Sequence, residues 1–307
     1  MRRNGKKPRT VIRQRMDRII TASAARGTVS LVAGITSGLV REARERHDLA
    51  PTSSAAVGRL LTAAALLGAS LKGRERLTLQ IVGDGPIGSL TADSWSTGTH
   101  AVGARAYARN GQADLPLNAV GKFDVAGVVG AGKLQVTRTY EVGQPYSGIV
   151  PLASGEIGDD VAAYFANSEQ IPSIVALGVL AGPSGIRAAG GVIAQVMPGA
   201  DDATVTALER AVAAMPPVTT QIVGGADATG LLRAVAGSLD LKVFDTFDVA
   251  FDCLCTREKV EAALLGLGKD ELAKIAREQP ETEAQCDFCA RRYLLTADDV
   301  RALSARF

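Results

Sequence analysis

The sequence predicts an α+β protein: an N-terminal domain of mixed or antiparallel sheet with packed helices, then a helical linker, then a small C-terminal module. Three observations predict it. Strand-like alternation and helix-like periodicity come in separate runs rather than as repeating βα units. Composition shifts at Pro198, after which an Ala-rich stretch, paired prolines and scattered glycines replace the β pattern. All four cysteines lie beyond residue 252, so the end of the chain differs chemically from the rest.

Residues 27–33 (GTVSLVA) read as a strand and 35–46 as a helix with a polar end. Pro51 opens a second helix, with Ala55, Leu60, Leu61, Ala64, Leu67 and Leu71 on a broad apolar face. LTLQIVGDGPIGSLTADS reads as strand, Gly/Pro turn and strand, AVGARAYA as a third strand, and KLQVTRTYEV and SGIVPL as continued sheet. A helix at 157–168 precedes two apolar strands near 174–180 and 192–197. These elements make an N-terminal domain at 16–197.

Residues 198–252 carry an Ala-rich helix that stops at Pro216 and Pro217, then a weak helix on Leu231, Val235 and Leu239. Gly and Pro interruptions make this stretch easy to melt, and it reads as a metastable linker in preference to a separate domain. VFDTFDVAFD then places Phe244, Phe247 and Phe251 within eight residues. The module at 253–307 has a helix capped by Thr256 with a stripe of Val260, Leu264 and Leu267, a second helix at 270–277, a strand at 293–295, and a helix capped by Thr296 with Val300 and Leu303 inward.

Composition narrows the class. Apolar residues at 47% and charged residues at 21% exclude a disordered chain or a fibre. A formal charge of +2 excludes a wholly polyanion-seeking protein, although residues 1–18 hold eight Lys/Arg. Residues 1–15 read as a flexible basic arm. No run approaches the ~20 apolar residues of a membrane helix, since 174–197 is broken by Pro183, Ser184 and Arg187. A soluble cytoplasmic protein without a membrane partner is expected.

Cys253-Leu254-Cys255 and Cys286-Asp287-Phe288-Cys289 form a C-x-C…C-x-x-C pair. Two close thiol pairs are what a tetrahedral zinc site needs, each supplying two sulfurs at about 2.3 Å. Four thiols fill every position, so one structural zinc is expected and Lewis-acid catalysis is not. Four free cysteines or two permanent disulfides compete with this reading. Thiolates are also oxidisable, and disulfide formation removes ligands. Structural zinc contributes about 10–16 kcal/mol to folding, against about 3–8 kcal/mol net for a unit of this size. Metal loss should therefore unfold the module. The architecture can work as a switch; spacing alone does not say that it does.

Two glycine motifs resemble nucleotide sites and are rejected. GDGPIG at 83–88 fits G-x-G-x-x-G, but Pro86 and the following residues continue as sheet where a helix would have to begin. GVVGAGK at 127–133 is followed by Leu134 where a P-loop needs Ser or Thr. No nucleotide partner is expected. His47 and His100, the only histidines, supply no nucleophile–base set, and the chain reads as a non-enzyme.

The chain resembles the redox-regulated 33-kDa heat-shock chaperone family of bacteria. The likeness rests on the terminal cysteine pattern, on LKGRERLTLQIVGDGPIGSL and SEQIPS, and on CLCTREKV, LGKDEL and CDFCARRYLLTADDV in that order, and it begins near Met16. It implies an ATP-independent holdase, inactive when reduced and zinc-bound. Oxidation would form Cys253–Cys255 and Cys286–Cys289 disulfides, release zinc, and unfold the module and linker. The exposed surface would bind unfolding or oxidatively damaged client proteins, commonly as a homodimer.

Phe244, Phe247 and Phe251 are candidates for a surface that docks on the N-terminal domain when reduced and is exposed on oxidation; ordinary core packing is the competing reading. Two other functions compete. A zinc-stabilised nucleic-acid or ribosome-binding protein would use the basic arm, and a dithiol oxidoreductase would use the thiols.

Overall fold

The computed structural model describes residues 17–182 and 185–307; the basic arm expected at 1–15 lies outside them. Ten strands form one sheet. In chain order they are β1 (Arg18–Ala24), β2 (Val29–Ile35), β3 (Arg76–Gly83), β4 (Ser89–Gly98), β5 (Ala101–Ala108), β6 (Gly132–Thr139), β7 (Tyr146–Pro151), β8 (Ser173–Gly182), β9 (Gly185–Val196) and β10 (Leu241–Phe251). Their spatial order is β7-β6-β3-β4-β5-β10-β1-β2-β9-β8. Neighbours are antiparallel except β5 and β10, which run parallel.

Helices α1 (Ser37–His47) and α2 (Pro51–Gly68) follow β2. Pro51 stands in the first turn of α2, where its missing N–H costs nothing. α2 is buried nearly all round, as a helix without a polar face must be. It packs on β4 and β5 and also on β8 and β9. These pairs stand far apart in the sheet order, so the sheet curls around the helix. The buried hydroxyls of α2 are satisfied: Thr52 donates to Asp114, Ser53 to the Ala113 carbonyl, and Thr62 pairs with Thr36 at 2.8 Å.

Short helices α3 (Val125–Val129) and α4 (Gly158–Tyr164) close the same core. On the other side of β1, β2 and β9, α5 (Asp202–Ala214), α6 (Val218–Val223) and α7 (Ala228–Ala236) build a second core around Leu208, Val218, Leu231, Leu232 and Val235. The stretch 198–252, read from sequence as a connector, is thus three helices and a strand, and β10 lies inside the large sheet.

The two glycine motifs have a structural cause. The 83–88 segment is the turn between β3 and β4, and the 127–133 segment leads from α3 into β6. They pack backbone to backbone: Gly85 N donates to Val129 O at 3.0 Å, Asp84 N to Ala131 O at 2.9 Å, and Ala131 N to Asp84 Oδ1 at 2.8 Å. A Cβ at Gly83 would collide with the Val129 carbonyl, and one at Gly85 with that of Val128. The glycines permit close approach of chain to chain.

The C-terminal module comprises α8 (Arg257–Leu265), α9 (Lys269–Glu278), the hairpin β11 (Glu281–Gln285) and β12 (Arg292–Thr296), and α10 (Ala297–Ser304). Thr256 and Thr296 cap α8 and α10 through their side chains. The core is small: Leu272, Ala276, Leu295, Val300 and Leu303, with Val260 and Leu264 packed at its edge. Leu267, expected in the α8 stripe, is instead 51% exposed. α8 ends at Leu265, and Leu267 belongs to the turn before Gly268, whose φ of 85° starts α9.

Candidate metal centre

Two pieces of chain bring the thiols together. Cys253 and Cys255 follow directly from β10, whose last pairings align residues 248–251 with 101–104 of β5. Cys286 and Cys289 sit in the turn between β11 and β12, closed by Cys286 N to Arg291 O at 2.9 Å and Ala290 N to Cys286 O at 2.8 Å. Ala290 takes the left-handed conformation there, with φ 54°.

All four Sγ atoms lie within 4.8 Å of one another. Cys253 and Cys286 sulfurs are 3.8 Å apart and those of Cys255 and Cys289 3.4 Å. A tetrahedron of sulfurs at about 2.3 Å from a central zinc has edges of about 3.8 Å. The residues therefore fit zinc in donor type, number and spacing. Every donor of this set is a sulfur, so no position is left open to water or substrate.

Two donors from outside the cluster point at the sulfurs of the first pair. Tyr293 Oη donates to Cys255 Sγ at 3.1 Å, and Arg105 Nη1 to Cys253 Sγ at 3.3 Å. Burial pushes the Cys255 thiol up, but hydrogen bonds from Tyr293 and the neighbouring thiols outweigh it and bring it down to about 7. Burial pushes the Cys289 thiol up to about 12 and raises that of Cys286. Thiols this reluctant to ionise alone need a cation to become thiolates together.

Neither histidine is a ligand here. His47 Nε2 lies 3.0 Å from the Phe288 carbonyl oxygen, and His100 is half exposed beside Asp245. Arg105, Tyr107, Tyr293 and His47 surround the centre and were missed by sequence reasoning. One signal existed for Arg105: it stands in an otherwise apolar strand, and the β4–β5 register puts Asp93 directly opposite.

The phenylalanines separate. Phe247 and Phe251 pack against the main core, and Arg46 lies over the Phe251 ring at 4.8 Å. Phe244 is 52% exposed, with Lys242 near its ring, so it does not share the packing expected of all three rings. On a strand, residues at even spacing share a face. Positions 247 and 251 do; position 244 does not.

The fold and the sequence match one kind of protein. The structure superposes on the crystal structure of the 33 kDa chaperonin from Thermotoga maritima with a TM-score of 0.88 at 35% identity, covering 95% of this chain and 99% of that one. A 33 kDa chaperonin of Bacillus cytotoxicus is 42% identical over 94% of this chain and 98% of its own length. One of Staphylococcus aureus strain Newman is 41% identical over 94% and 97%. The protein is a heat-shock chaperone and not an enzyme. More narrowly, it belongs to the Hsp33 family, whose model, described as "Hsp33 protein", matches residues 17–296. Among the described residues, no helix is long and apolar enough to cross a membrane.

Proposed function

We propose that this chain is a redox-regulated, ATP-independent holdase of the cytoplasm, inactive when Cys253, Cys255, Cys286 and Cys289 hold one zinc and active when they are oxidised. The four-thiol cluster carries this reading: it joins two segments of a module with five fully buried apolar side chains. Zinc, when bound, supplies the charge that keeps four sulfurs ionised in one place.

The oxidant is a peroxide or hypochlorous acid. With hydrogen peroxide, a thiolate attacks one oxygen, the O–O bond breaks, and a sulfenic acid and hydroxide form. The second thiolate of the pair attacks that sulfur, the S–O bond breaks, and a disulfide and hydroxide result. Two thiols give two electrons to one peroxide, and two waters form once protons are counted. Family resemblance assigns the pairs as Cys253–Cys255 and Cys286–Cys289. The close sulfur contacts at 3.8 and 3.4 Å run across the two motifs, so this pairing exchanges those neighbours and takes the cluster apart. The freed module then unfolds, and apolar surface becomes open to unfolding client proteins, with a homodimer as the active form.

One titration tests the reading. Zinc release, free-thiol count and suppression of client aggregation should rise or fall together as peroxide or hypochlorite is added. Equal protection of a client by the reduced, zinc-loaded protein would overturn it. Cys286→Ser should abolish tight zinc retention in the reduced protein.

A further inference from the structure

Phe288 lies between the two cysteines of CDFC, and its contacts are with the sheet domain. The Arg105 guanidinium carbon stands 3.7 Å from the centre of its ring. The Tyr107 ring meets it edge-on at 4.8 Å and 81°. His47, at the end of α1, is bonded to its carbonyl. Arg105 is itself immobilised. Its Nε and Nη2 donate to Asp93 Oδ2 at 3.1 and 2.7 Å, and Asp93 Oδ1 accepts from Thr78 at 2.7 Å. Both members of this pair are buried, Arg105 at 8% and Asp93 at 4% exposure. The remaining arm, Nη1, donates to Cys253 Sγ. One guanidinium therefore touches both halves of the cluster: a sulfur of the first pair and the ring carried between the sulfurs of the second.

We propose that Arg105 is a positioning residue of the switch and Phe288 its latch, docking the module on the sheet while the four sulfurs share one cluster. The proposal rests on the redox reading above. A Cys286–Cys289 disulfide draws its two sulfurs to about 2.05 Å and re-aims the Asp287–Phe288 loop between them. A Cys253–Cys255 disulfide removes the thiolate that accepts from Nη1. Each oxidation event undoes a different contact of the same side chain. A cation over a ring is held more strongly in a desolvated site than at an exposed one, and Arg105 is buried, so losing the ring removes a docking contact outright. The Asp93 pair stays behind to keep Arg105 in place for re-docking.

The test uses full-length, reduced, zinc-loaded protein and three variants: Phe288→Ala, Phe288→Tyr and Arg105→Lys. Zinc per chain is measured with a colorimetric chelator, and docking by amide nitrogen relaxation of residues 257–304 against that of the sheet. Phe288→Ala should keep one zinc while its module amides relax as a body the size of residues 253–307 alone. Phe288→Tyr keeps the ring and should restore common tumbling. Arg105→Lys keeps a charge for Asp93 but loses the flat face. It should undock the module and, with Co(II) in place of zinc, shift the sulfur-to-metal charge-transfer band, because Cys253 loses its donor. A Phe288→Ala module that still tumbles with the sheet overturns the latch. So does loss of zinc from that variant, since the ring would then act through the cluster. An unshifted Co(II) band in Arg105→Lys overturns the role of Arg105. Failure of wild-type protein to release zinc or gain holdase activity under peroxide would sink the redox reading alone, leaving the docking result on reduced protein standing.

Discussion

Stripping the metal from the reduced protein should unfold residues 257–304 and leave the sheet intact. The magnitude follows from the smallness of the module core, where only Leu272, Ala276, Leu295, Val300 and Leu303 are fully buried. A unit of this length has a net stability of about 3–8 kcal/mol with everything in place. Structural zinc supplies about 10–16 kcal/mol of such a total. Taking the smallest zinc contribution from the largest net stability still leaves the metal-free module unfavourable by about 2 kcal/mol, or about 3% folded. Amide exchange reads this directly. Leu272, Ala276 and Leu295 should lose protection on chelation under reducing conditions, while Leu79 and Ile81, buried in β3, keep theirs. Retained protection at the three module amides in protein shown to be metal-free and fully reduced would refute the reasoning. The thiols would then be passengers on a self-sufficient fold.

Three further outcomes are expected of the reduced protein, each read as a shift in urea midpoint. Phe247→Ala should cost about 2 kcal/mol or more because its ring packs on the main core, whereas Phe244→Ala, at an exposed ring, should stay within about 0.5 kcal/mol. Asp160→Ala should cost about 2–4 kcal/mol: its buried carboxylate accepts from the backbone N–H of Ala153, Ser154, Gly155 and Ile157 at 2.7 to 3.1 Å, and all four donors would be orphaned. Gly85→Ala should cost more than about 2 kcal/mol, since its Cβ meets the Val129 carbonyl carbon at 2.6 Å and the Gly130 nitrogen at 2.8 Å, backbone atoms that cannot swing aside.

What the sequence made legible was local. The hairpin of β3 and β4, the apolar helix α2 and the capped helices of the module all announce themselves within a dozen residues, through alternation, a Pro start or a threonine cap. The four-thiol cluster was legible for the same reason: each half is a short motif. Arg105, Tyr107 and His47 were not, because what makes them part of the site is the docking of one unit on another. β10 was left inside the linker for a different cause: the partners that make it a strand are β1, at the start of the described chain, and β5, both far away in sequence.

The placement of β10 also changes what a metastable linker can mean in this molecule. β10 separates the half-sheet ending in β5 from the half-sheet beginning at β1, so full release of 198–252 would open two strand edges at once. Burial along this stretch is uneven. α5 and α6 each bury one side chain completely, Leu208 and Val218, whereas α7 buries Ala228, Leu231, Leu232, Val235 and Ala236. On β10 itself only Val249 is buried. Its pairing with β1 extends from residue 241 to 248, but its parallel pairing with β5 covers only 248–251 and is continued by Asp252 N to Ala104 O. That short parallel seam is the part next to Cys253. Under the redox reading, a change at the cluster would meet the shortest pairing of the sheet first. Under the redox reading proposed above, opening the seam would uncover Phe251 and one edge of β5 while α7 still anchored the rest, so a partial opening would expose apolar surface and leave the core of the sheet in place.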